Sequence, residues 1–252
     1  MIPIDLTGKT ALVTGAAAGL GRAMAETLAR AGAHLLVADI AQPGAAETVA
    51  RVEKLGGTAR ALVYDLADAQ AVETLREDVM AHEGGIDILI NNAGIIQYGK
   101  GIAKLAVTDW DRLMAVNVRS GFLLCRAFME GLKARGWGRV LFVSSLAARV
   151  GGIDVGSHYS ASKAALIGMG RTLAKEGAPH GVTVNHLAPG IIATEPVKRQ
   201  MAGREEQVAA TIPLGRLGDP QDVANAALFL CSPLADYITG IVVDINGGLY
   251  MG

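Results

Sequence analysis

The chain has 252 residues, of which 51% are hydrophobic and only 4% are aromatic. It is long enough to bury a sizeable core, and its abundant Ala and Gly favour helices packed closely on a sheet. The 23 basic and 24 acidic residues give a formal net charge of −1, so a nucleic-acid partner has no electrostatic support.

Short β-branched or aliphatic runs alternate with longer amphipathic segments along the chain. Strands are predicted at residues 10–14, 34–39, 59–64, 86–90, 139–144, 182–187 and 241–245. Helices are predicted near residues 20–32, 45–55, 69–83, 109–135, 159–180 and 220–231. Strands separated by helices indicate right-handed βαβ units in a parallel sheet covered on both faces. The sequence therefore predicts an α/β fold, with residues 1–252 forming a single Rossmann-type, doubly wound domain of about seven strands.

One segment, from residue 190 to about 218, interrupts this rhythm between the sixth and last strands. It contains Pro196, Gly203 and Pro213. Long excursions of this kind often close over a site, whereas the simpler interpretation is a surface helix and loop without a role. We expect a substrate lid.

The chain carries no pattern typical of export, membrane insertion or metal binding. Its first ten residues lack a basic segment followed by an apolar run, and no stretch of about 18 apolar residues occurs. Cys125 and Cys231 lie far apart in apolar segments, as buried free thiols of a reducing compartment do. The histidines show no metal-ligand spacing. We expect a cytoplasmic protein with no metal and no membrane partner.

A glycine-rich turn joins the first strand to the first helix. Gly15, Gly19 and Gly21 follow the strand at a spacing that lets the backbone turn sharply and approach a phosphate closely. The helix that follows offers free N–H groups and a positive dipole end. The spacing differs from the common dinucleotide fingerprint and from the Walker loop. A purely structural strand–helix turn is the alternative.

An acidic residue supports the nucleotide interpretation. Asp39 ends the second strand about 20 residues after the turn, where a carboxylate can accept hydrogen bonds from ribose hydroxyls and repel a 2′-phosphate. Neither Ala18 nor Ile40 offers a cation to such a phosphate. These residues predict NAD rather than NADP as the cofactor.

A helix further along the chain opens with Tyr159 and Lys163. Their spacing of four residues places both side chains on one helical face. An ammonium near a phenol favours the phenolate, which lets a tyrosine act as an acid or base nearer neutral pH. The pair is common in helices and carries little weight alone.

Several further motifs occur in order along the chain. They are Asn91-Asn92-Ala93-Gly94 after the fourth strand, Ser144-Ser145 ending the fifth, and Pro189-Gly190 after the sixth. With the glycine-rich turn and the Tyr–Lys pair, they resemble the short-chain dehydrogenase/reductase family over the stretch from Gly8 to Gly248. The resemblance implies hydride transfer between a nicotinamide and a secondary alcohol or ketone.

The resemblance also implies roles for individual residues. Tyr159 would be the acid/base, Lys163 would bind the nicotinamide ribose and lower the pKa of Tyr159, and Ser145 would hydrogen-bond the substrate oxygen. Asn117 would hold a water in a proton relay behind Lys163. The implied cofactor contacts are Gly15, Gly19, Leu20, Gly21, Asp39, Asp65, Leu66, Asn92, Ala93, Gly94, Tyr159, Lys163, Pro189, Gly190, Ile192 and Thr194.

Two points of register stay open. Ser144 and Ser145 are adjacent, and Ser145 matches the family's register better. The interval from Ser145 to Tyr159 is one residue longer than the family's usual spacing, and we place the extra residue within 155–158.

The substrate is the least determined feature. The stretches at 151–155 and 215–218 are similar to those of deoxygluconate and gluconate dehydrogenases, which favours a polyol, sugar or sugar acid. The polar residues predicted to reach this substrate are Gln97, Tyr98, Arg149, Asp154, His158, Glu195, Lys198, Arg199 and Arg204; side chains that simply face water are the alternative.

Two other functions are compatible with this fold. A 3-oxoacyl-carrier-protein reductase would carry basic residues near the glycine-rich turn and an arginine where this chain has His180. A non-catalytic nucleotide-sensing scaffold on the same fold would lack the catalytic Tyr, Lys or Ser, which are all present. The apolar residues of the helices at 109–135 and 159–180 exceed what one sheet can cover, and the resemblance implies a homotetramer.

Overall fold

The computed structural model describes residues 4–99, 101–152 and 155–252. Within them, seven parallel strands form one sheet in the order β3-β2-β1-β4-β5-β6-β7. The strands are β1 (Thr10–Thr14), β2 (His34–Asp39), β3 (Thr58–Val63), β4 (Ile88–Asn91), β5 (Gly138–Val143), β6 (Val182–Pro189) and β7 (Val242–Ile245). The prediction of a Rossmann-type parallel sheet of about seven strands is confirmed.

Helices connect the strands and cover both faces. They are α1 (Gly19–Arg30), α2 (Gln42–Lys54), α3 (Ala69–Glu83), α4 (Val107–Met114), α5 (Ser120–Ala134), α6 (Ala147–Val150), α7 (Ser157–Gly177), α8 (Glu195–Met201), α9 (Glu205–Ala209) and α10 (Pro220–Cys231). Single 3₁₀ turns lie at Ile102–Lys104, Ala178–His180 and Pro233–Ala235.

Strand alternation divides the interior into two apolar cores. In β1, Ala11 and Val13 point into the core beneath α1, α2 and α10, whereas Leu12 points into the core beneath α3, α5 and α7. Successive strand residues face opposite sides of a sheet, so a strand buried on both faces reads as a continuous apolar run. This is why the strands are visible in the sequence.

The predicted strands at 10–14 and 34–39 match β1 and β2 residue for residue, and the ends of the other strands differ by at most two residues. The helix predicted at 109–135 is wrong as one element. It divides into α4 and α5, which one π-helical turn at Ala115–Arg119 joins. Single π turns of this kind often occur at functional sites.

The strand order reverses between β1 and β4, since β2 lies on one side of β1 and β4 on the other. Ligands of open α/β sheets bind in the crevice outside the carboxyl ends of the strands at such a switch point. The turn after β1, the segments after β2 and β4, and the end of β5 all meet at this edge.

Candidate active site

In the turn between β1 and α1, the backbone packs closely against neighbouring segments. Gly15 has a φ of +62°, and a Cβ there would lie 2.8 Å from the Cα of Ala93. A Cβ on Gly21 would lie 2.2 Å from the carbonyl oxygen of Gly15. Ala18, the N-cap of α1, has no side chain that could cap the helix. The first N–H groups of α1 are therefore left for an anion, as in phosphate-binding turns.

Thr14 joins this turn to the segment after β4. Its hydroxyl donates to the carbonyl of Ile90 at 3.2 Å and accepts the backbone N–H groups of Asn92 and Ala93, each at 3.0 Å. The Asn92 side chain donates back to the carbonyls of Thr14 and Gly15 at 2.8 and 3.1 Å. The two segments therefore form one rigid floor at the switch point.

A cavity of about 590 Å³ opens beside this floor. Asp39 reaches into it while accepting hydrogen bonds from the backbone N–H groups of Ala17 and Ala41, both at 2.9 Å. Asp65 and the buried Leu66, both predicted, line the same cavity. Arg112 is the one basic residue among the described residues that line it.

Tyr159 and Lys163 lie on the inner face of α7, both buried. The Lys163 ammonium donates to the carbonyl of Val143 at 2.8 Å and lies 5.9 Å from the centroid of the Tyr159 ring. Burial lowers the pKa of Lys163 to about 8. Burial raises the pKa of Tyr159, and a hydrogen bond with the Ser145 hydroxyl acts in the opposite direction. The expected effect of Lys163 on the Tyr159 pKa stays a prediction.

The two serines that end β5 have different environments. The buried Ser144 hydroxyl donates to the Lys163 carbonyl at 2.8 Å, which ties β5 to α7. The Ser145 hydroxyl accepts the N–H of Ala147 at 3.1 Å and contacts Tyr159. The Ser144 hydroxyl therefore has a structural role at the α7 backbone, whereas the Ser145 hydroxyl contacts the Tyr159 phenol.

Asn117 lies in the π-helical turn between α4 and α5 and is buried. Its side-chain oxygen accepts the Ile95 N–H at 2.8 Å, and its amide donates to the Ile95 carbonyl at 3.0 Å and the Ser162 hydroxyl at 3.1 Å. A Cβ on Gly94 would lie 3.3 Å from both the Asn117 oxygen and the Lys163 nitrogen. Asn117 and Lys163 therefore both border Gly94, and the hydrogen bonds of the described residues include none between these two side chains.

A second cavity, of about 280 Å³, adjoins the first and contains the catalytic candidates. The two cavities share Ala18, Asn92, Gly94 and Ile95. The predicted residues that line the second cavity are Gly19, Leu20, Asn92, Gly94, Ser145, Tyr159, Lys163, Pro189, Gly190, Ile192 and Thr194. Gly21 and Asn117 lie behind the cavity walls, and Gly15 and Ala93 line the first cavity.

The predicted substrate-facing residues separate into groups. Gln97 contacts His158, and Tyr98 lies near Tyr159, although none of these three residues lines either cavity. Arg149 instead pairs with Asp244 of β7 at 3.1 Å, so this guanidinium is already engaged. Pro196 and Val197 of α8 line the second cavity, whereas Glu195, Lys198, Arg199 and Arg204 line neither cavity. Asp154 lies outside the described residues.

Sequence reasoning missed Thr14, Ser162 and the Val143 carbonyl. Thr14 immediately precedes the first glycine, and Ser162 lies three residues after Tyr159, where its hydroxyl donates to the Tyr159 carbonyl at 2.7 Å. Neither position carries a sequence signal, since serine and threonine are common beside turns and at the starts of helices.

The described residues contain no group of three or more His, Cys, Asp or Glu side chains placed to hold a metal ion. No helix in that part of the chain is long and apolar enough to span a membrane.

A family model described as enoyl-(acyl carrier protein) reductase matches residues 15–250. The chain belongs to the short-chain dehydrogenase/reductase family. It is an oxidoreductase of that family acting on CH–OH groups, and the resemblance inferred from the motifs is confirmed.

Solved structures and curated relatives of this family point to different substrates. A structure from Beutenbergia cavernae, described as a candidate NAD(P)-dependent gluconate 5-dehydrogenase with NADP bound at low occupancy, is 38% identical with a TM-score of 0.92, covering 98% of both chains. A candidate 2-deoxy-D-gluconate 3-dehydrogenase from Agrobacterium tumefaciens, with bound NADP, is 40% identical with a TM-score of 0.89 over 99% of both chains. The 3-oxoacyl-[acyl-carrier-protein] reductase FabG of Aquifex aeolicus is 39% identical over 98% of this chain and 99% of its own.

Proposed function

We propose that this protein interconverts a secondary alcohol and a ketone with NAD(H), and that the substrate is a polyol, sugar or sugar acid. One observation carries the proposal: the Tyr159 phenol, the Ser145 hydroxyl and the Lys163 ammonium meet in a cavity continuous with the nucleotide-sized cavity beside Asp39. An acid, an oxygen-binding hydroxyl and a cation are what carbonyl reduction requires.

The proposed chemistry assigns one task to each side chain. In reduction, Ser145 donates a hydrogen bond to the carbonyl oxygen, and Tyr159 transfers its phenolic proton to that oxygen. A nicotinamide dinucleotide, when bound, would supply the hydride for reduction or accept it for oxidation. Lys163 stabilises the resulting phenolate and binds the nicotinamide ribose. In oxidation, the Tyr159 phenolate takes the proton of the alcohol.

Asn117 and Gly94 would support proton transfer to Tyr159 from the side of Lys163 that faces away from the substrate. We propose that the relay water lies near Gly94, because the Asn117 oxygen and the Lys163 nitrogen both border that residue. Asn117 is rigid because three hydrogen bonds hold its amide, so it can fix such a water without reorganising.

The turn after β1 and the segment after β4, which form the floor of the two cavities, support the proposal that a dinucleotide binds there. Gly15 and Gly21 leave no room for a Cβ, so the turn packs directly against the segment after β4 and the start of α1. We propose that the start of α1 binds the pyrophosphate, Asp39 the adenosine ribose, and Asp65 and Leu66 the adenine side. Ile192 and Thr194 would contact the carboxamide and pyrophosphate.

The choice of NAD over NADP depends on charge. Asp39 places a carboxylate where a 2′-phosphate would lie, and its neighbour Ile40 is exposed and uncharged. Two structural neighbours are described with bound NADP, so the proposed NAD preference would distinguish this chain from them. We propose that Asp39 rejects the phosphate by repulsion.

A 3-oxoacyl-carrier-protein reductase is the second candidate function. Identity of 37–39% to FabG proteins along nearly the full chain favours it. Asp39 and His180 count against it, since this candidate is expected to have basic residues near the glycine-rich turn and an arginine at position 180.

We propose that the segment at 190–218 acts as a substrate lid.

The assembly we propose is a homotetramer. Exposed apolar side chains on neighbouring helices support it, namely Val107 and Trp110 of α4 and Phe122 of α5. A partner subunit would cover them. Light scattering of the purified protein should give a tetrameric mass, and a monomeric mass in dilute solution would contradict this.

A panel assay tests the proposed function. We expect polyols, sugars or sugar acids to be oxidised with NAD at the highest kcat/KM, ahead of simple alcohols and of acyl thioesters in reduction. A preference for an acyl thioester with NADPH would favour the carrier-protein reductase instead. Tight cofactor binding without turnover of any substrate would favour a nucleotide-sensing scaffold.

A further inference from the structure

The residue that precedes Tyr159 has a buried imidazole that the proposed chemistry does not use. His158 directly precedes Tyr159 and is 1% exposed. Its ring rests on the backbone of Gly156, where a Cβ would lie 2.3 Å from the ring carbon Cε1. The ring nitrogen Nε2 lies 2.7 Å from the side-chain oxygen of Gln97. The imidazole is therefore fixed in place by packing and by one polar partner.

This contact determines where the proton lies. An amide oxygen can only accept a hydrogen bond, so Nε2 of His158 is the donor. A neutral imidazole then has a lone pair on Nδ1, which is buried and has no partner in the described residues. With its oxygen held by His158, the Gln97 amide directs its NH₂ group away from the imidazole.

Backbone contacts hold Gln97 at the edge of the catalytic cavity. The Gly156 N–H donates to the Gln97 carbonyl at 3.0 Å, and Tyr98 forms an antiparallel bridge with Val155. Ile95 and Ile96, directly before Gln97, line the cavity. Gln97 is half-buried, and its amide nitrogen has no hydrogen-bond partner within the described part of the chain. A donor is thus held in the segment that directly follows the cavity-lining residues Ile95 and Ile96.

The remaining wall of the cavity is largely uncharged. Lys163 is the one charged side chain among the described residues that line it, and the proposed chemistry already uses it. The nearby guanidinium of Arg149 is paired with Asp244. The described wall therefore offers hydroxyls, the Asn92 amide and apolar side chains, with no free cation for a substrate carboxylate, and Gln97 lies in the segment that borders it.

We propose that Gln97, oriented by His158, is a specificity-determining residue that hydrogen-bonds a hydroxyl next to the reacting carbon of an uncharged polyhydroxylated substrate. The inference rests on the proposed function and narrows its substrate class from polyols, sugars and sugar acids to the neutral members. Gln97 contacts the substrate, and His158 is a positioning residue that acts through Gln97.

A pair of matched alcohols tests this assignment. Oxidation of the vicinal diol of cyclohexane, of cyclohexanol and of gluconate is measured in the unmodified protein and in Gln97→Met, which keeps side-chain length without hydrogen bonding. We expect the unmodified protein to prefer the diol over both others. Gln97→Met should lose roughly tenfold or more in kcat/KM on the diol, mainly through KM, and about twofold or less on cyclohexanol. Gln70→Met, an exposed substitution on α3, is the matched control and should change neither.

The positioning role of His158 has its own readout. His158→Leu should reproduce the selective loss on the diol, whereas His158→Gln, which keeps an N–H donor near the position of Nε2, should restore most of it. Cofactor binding, measured by fluorescence, shows that each variant is folded.

The outcomes separate the inference from the proposed function. Equal losses on diol and cyclohexanol in Gln97→Met, or no loss at all, would overturn the inference. A preference of the unmodified protein for gluconate would overturn the neutral substrate class. If the unmodified protein oxidises no alcohol and reduces no ketone with either cofactor, the proposed function fails before any variant is compared, and the inference fails with it.

Discussion

Asp39 and Ile40 allow a direct test of how the nucleotide cavity selects its cofactor. The change is Asp39→Ala with Ile40→Arg, which removes the carboxylate and adds a cation beside it. Ile40 is 67% exposed, so its replacement costs little packing. Asp39 also accepts two backbone N–H groups, of which that of Ala41 is exposed and that of Ala17 is part-buried, so binding of both cofactors should weaken somewhat in the variant.

The magnitude follows from the position of Asp39. Two unit charges about 4 Å apart interact by about 1 kcal/mol in water and by about 4 kcal/mol at the effective permittivity near a protein surface. A half-buried carboxylate lies between these limits, so repulsion of a 2′-phosphate should cost about 2 to 3 kcal/mol. This corresponds to a preference for NADH over NADPH of about 30-fold to about 150-fold in kcat/KM.

The assay compares kcat/KM for both cofactors with one ketone at fixed ionic strength, because salt screens the interaction. The double variant should lose most of the preference or reverse it. Asp65→Asn, which removes a second carboxylate from the same cavity, is the matched control and should keep the preference. Equal or better kcat/KM with NADPH in the unmodified protein would refute the electrostatic argument.

Three further predictions concern the floor and the catalytic cation. Gly21→Ala places a methyl 2.2 Å from the Gly15 carbonyl oxygen, so dinucleotide binding measured by calorimetry should be lost, and affinity within about threefold of the parent would contradict this. Thr14→Val leaves two backbone N–H groups without their acceptor and should lower the free energy of unfolding in urea by about 2 to 4 kcal/mol; a loss below about 0.5 kcal/mol would count against this floor. The pKa of Lys163 is lowered to about 8, so kcat/KM for ketone reduction should fall as the pH rises through that value and the ammonium loses its proton. A profile that stays flat to about pH 9.5 would show that the charge of Lys163 is not needed.

Much of the fold is legible in the sequence because buried parallel strands leave local signals. β1 and β2 are continuous apolar runs, and each is followed by a helix of clear amphipathic period, so both were predicted to the residue. The catalytic candidates came from the family resemblance, because the Tyr159–Lys163 spacing alone is common in helices. The order of the motifs along the predicted strands and helices indicated the family and the cofactor contacts.

Other features depend on contacts between distant segments and leave no local pattern. The π-helical turn at Ala115–Arg119 arises where the Asn117 amide bonds to the backbone of Ile95, so the sequence predicted one continuous helix. The pairing of Gln97 with His158 joins residues 61 positions apart. The engagement of Arg149 by Asp244 likewise removes a cation that the sequence alone offered to the substrate.

Turnover of Tyr159→Phe is the measurement that tests the central claim most directly. The substitution removes one hydroxyl from a buried ring and leaves the dinucleotide floor intact. The account predicts a fall in kcat of about 100-fold to about 10,000-fold with NADH affinity within about threefold of the parent. Tyr237→Phe, at a fully exposed tyrosine, is the matched control and should keep full activity. Turnover of Tyr159→Phe within a few-fold of the parent would contradict the account, because the proton would then come from another group.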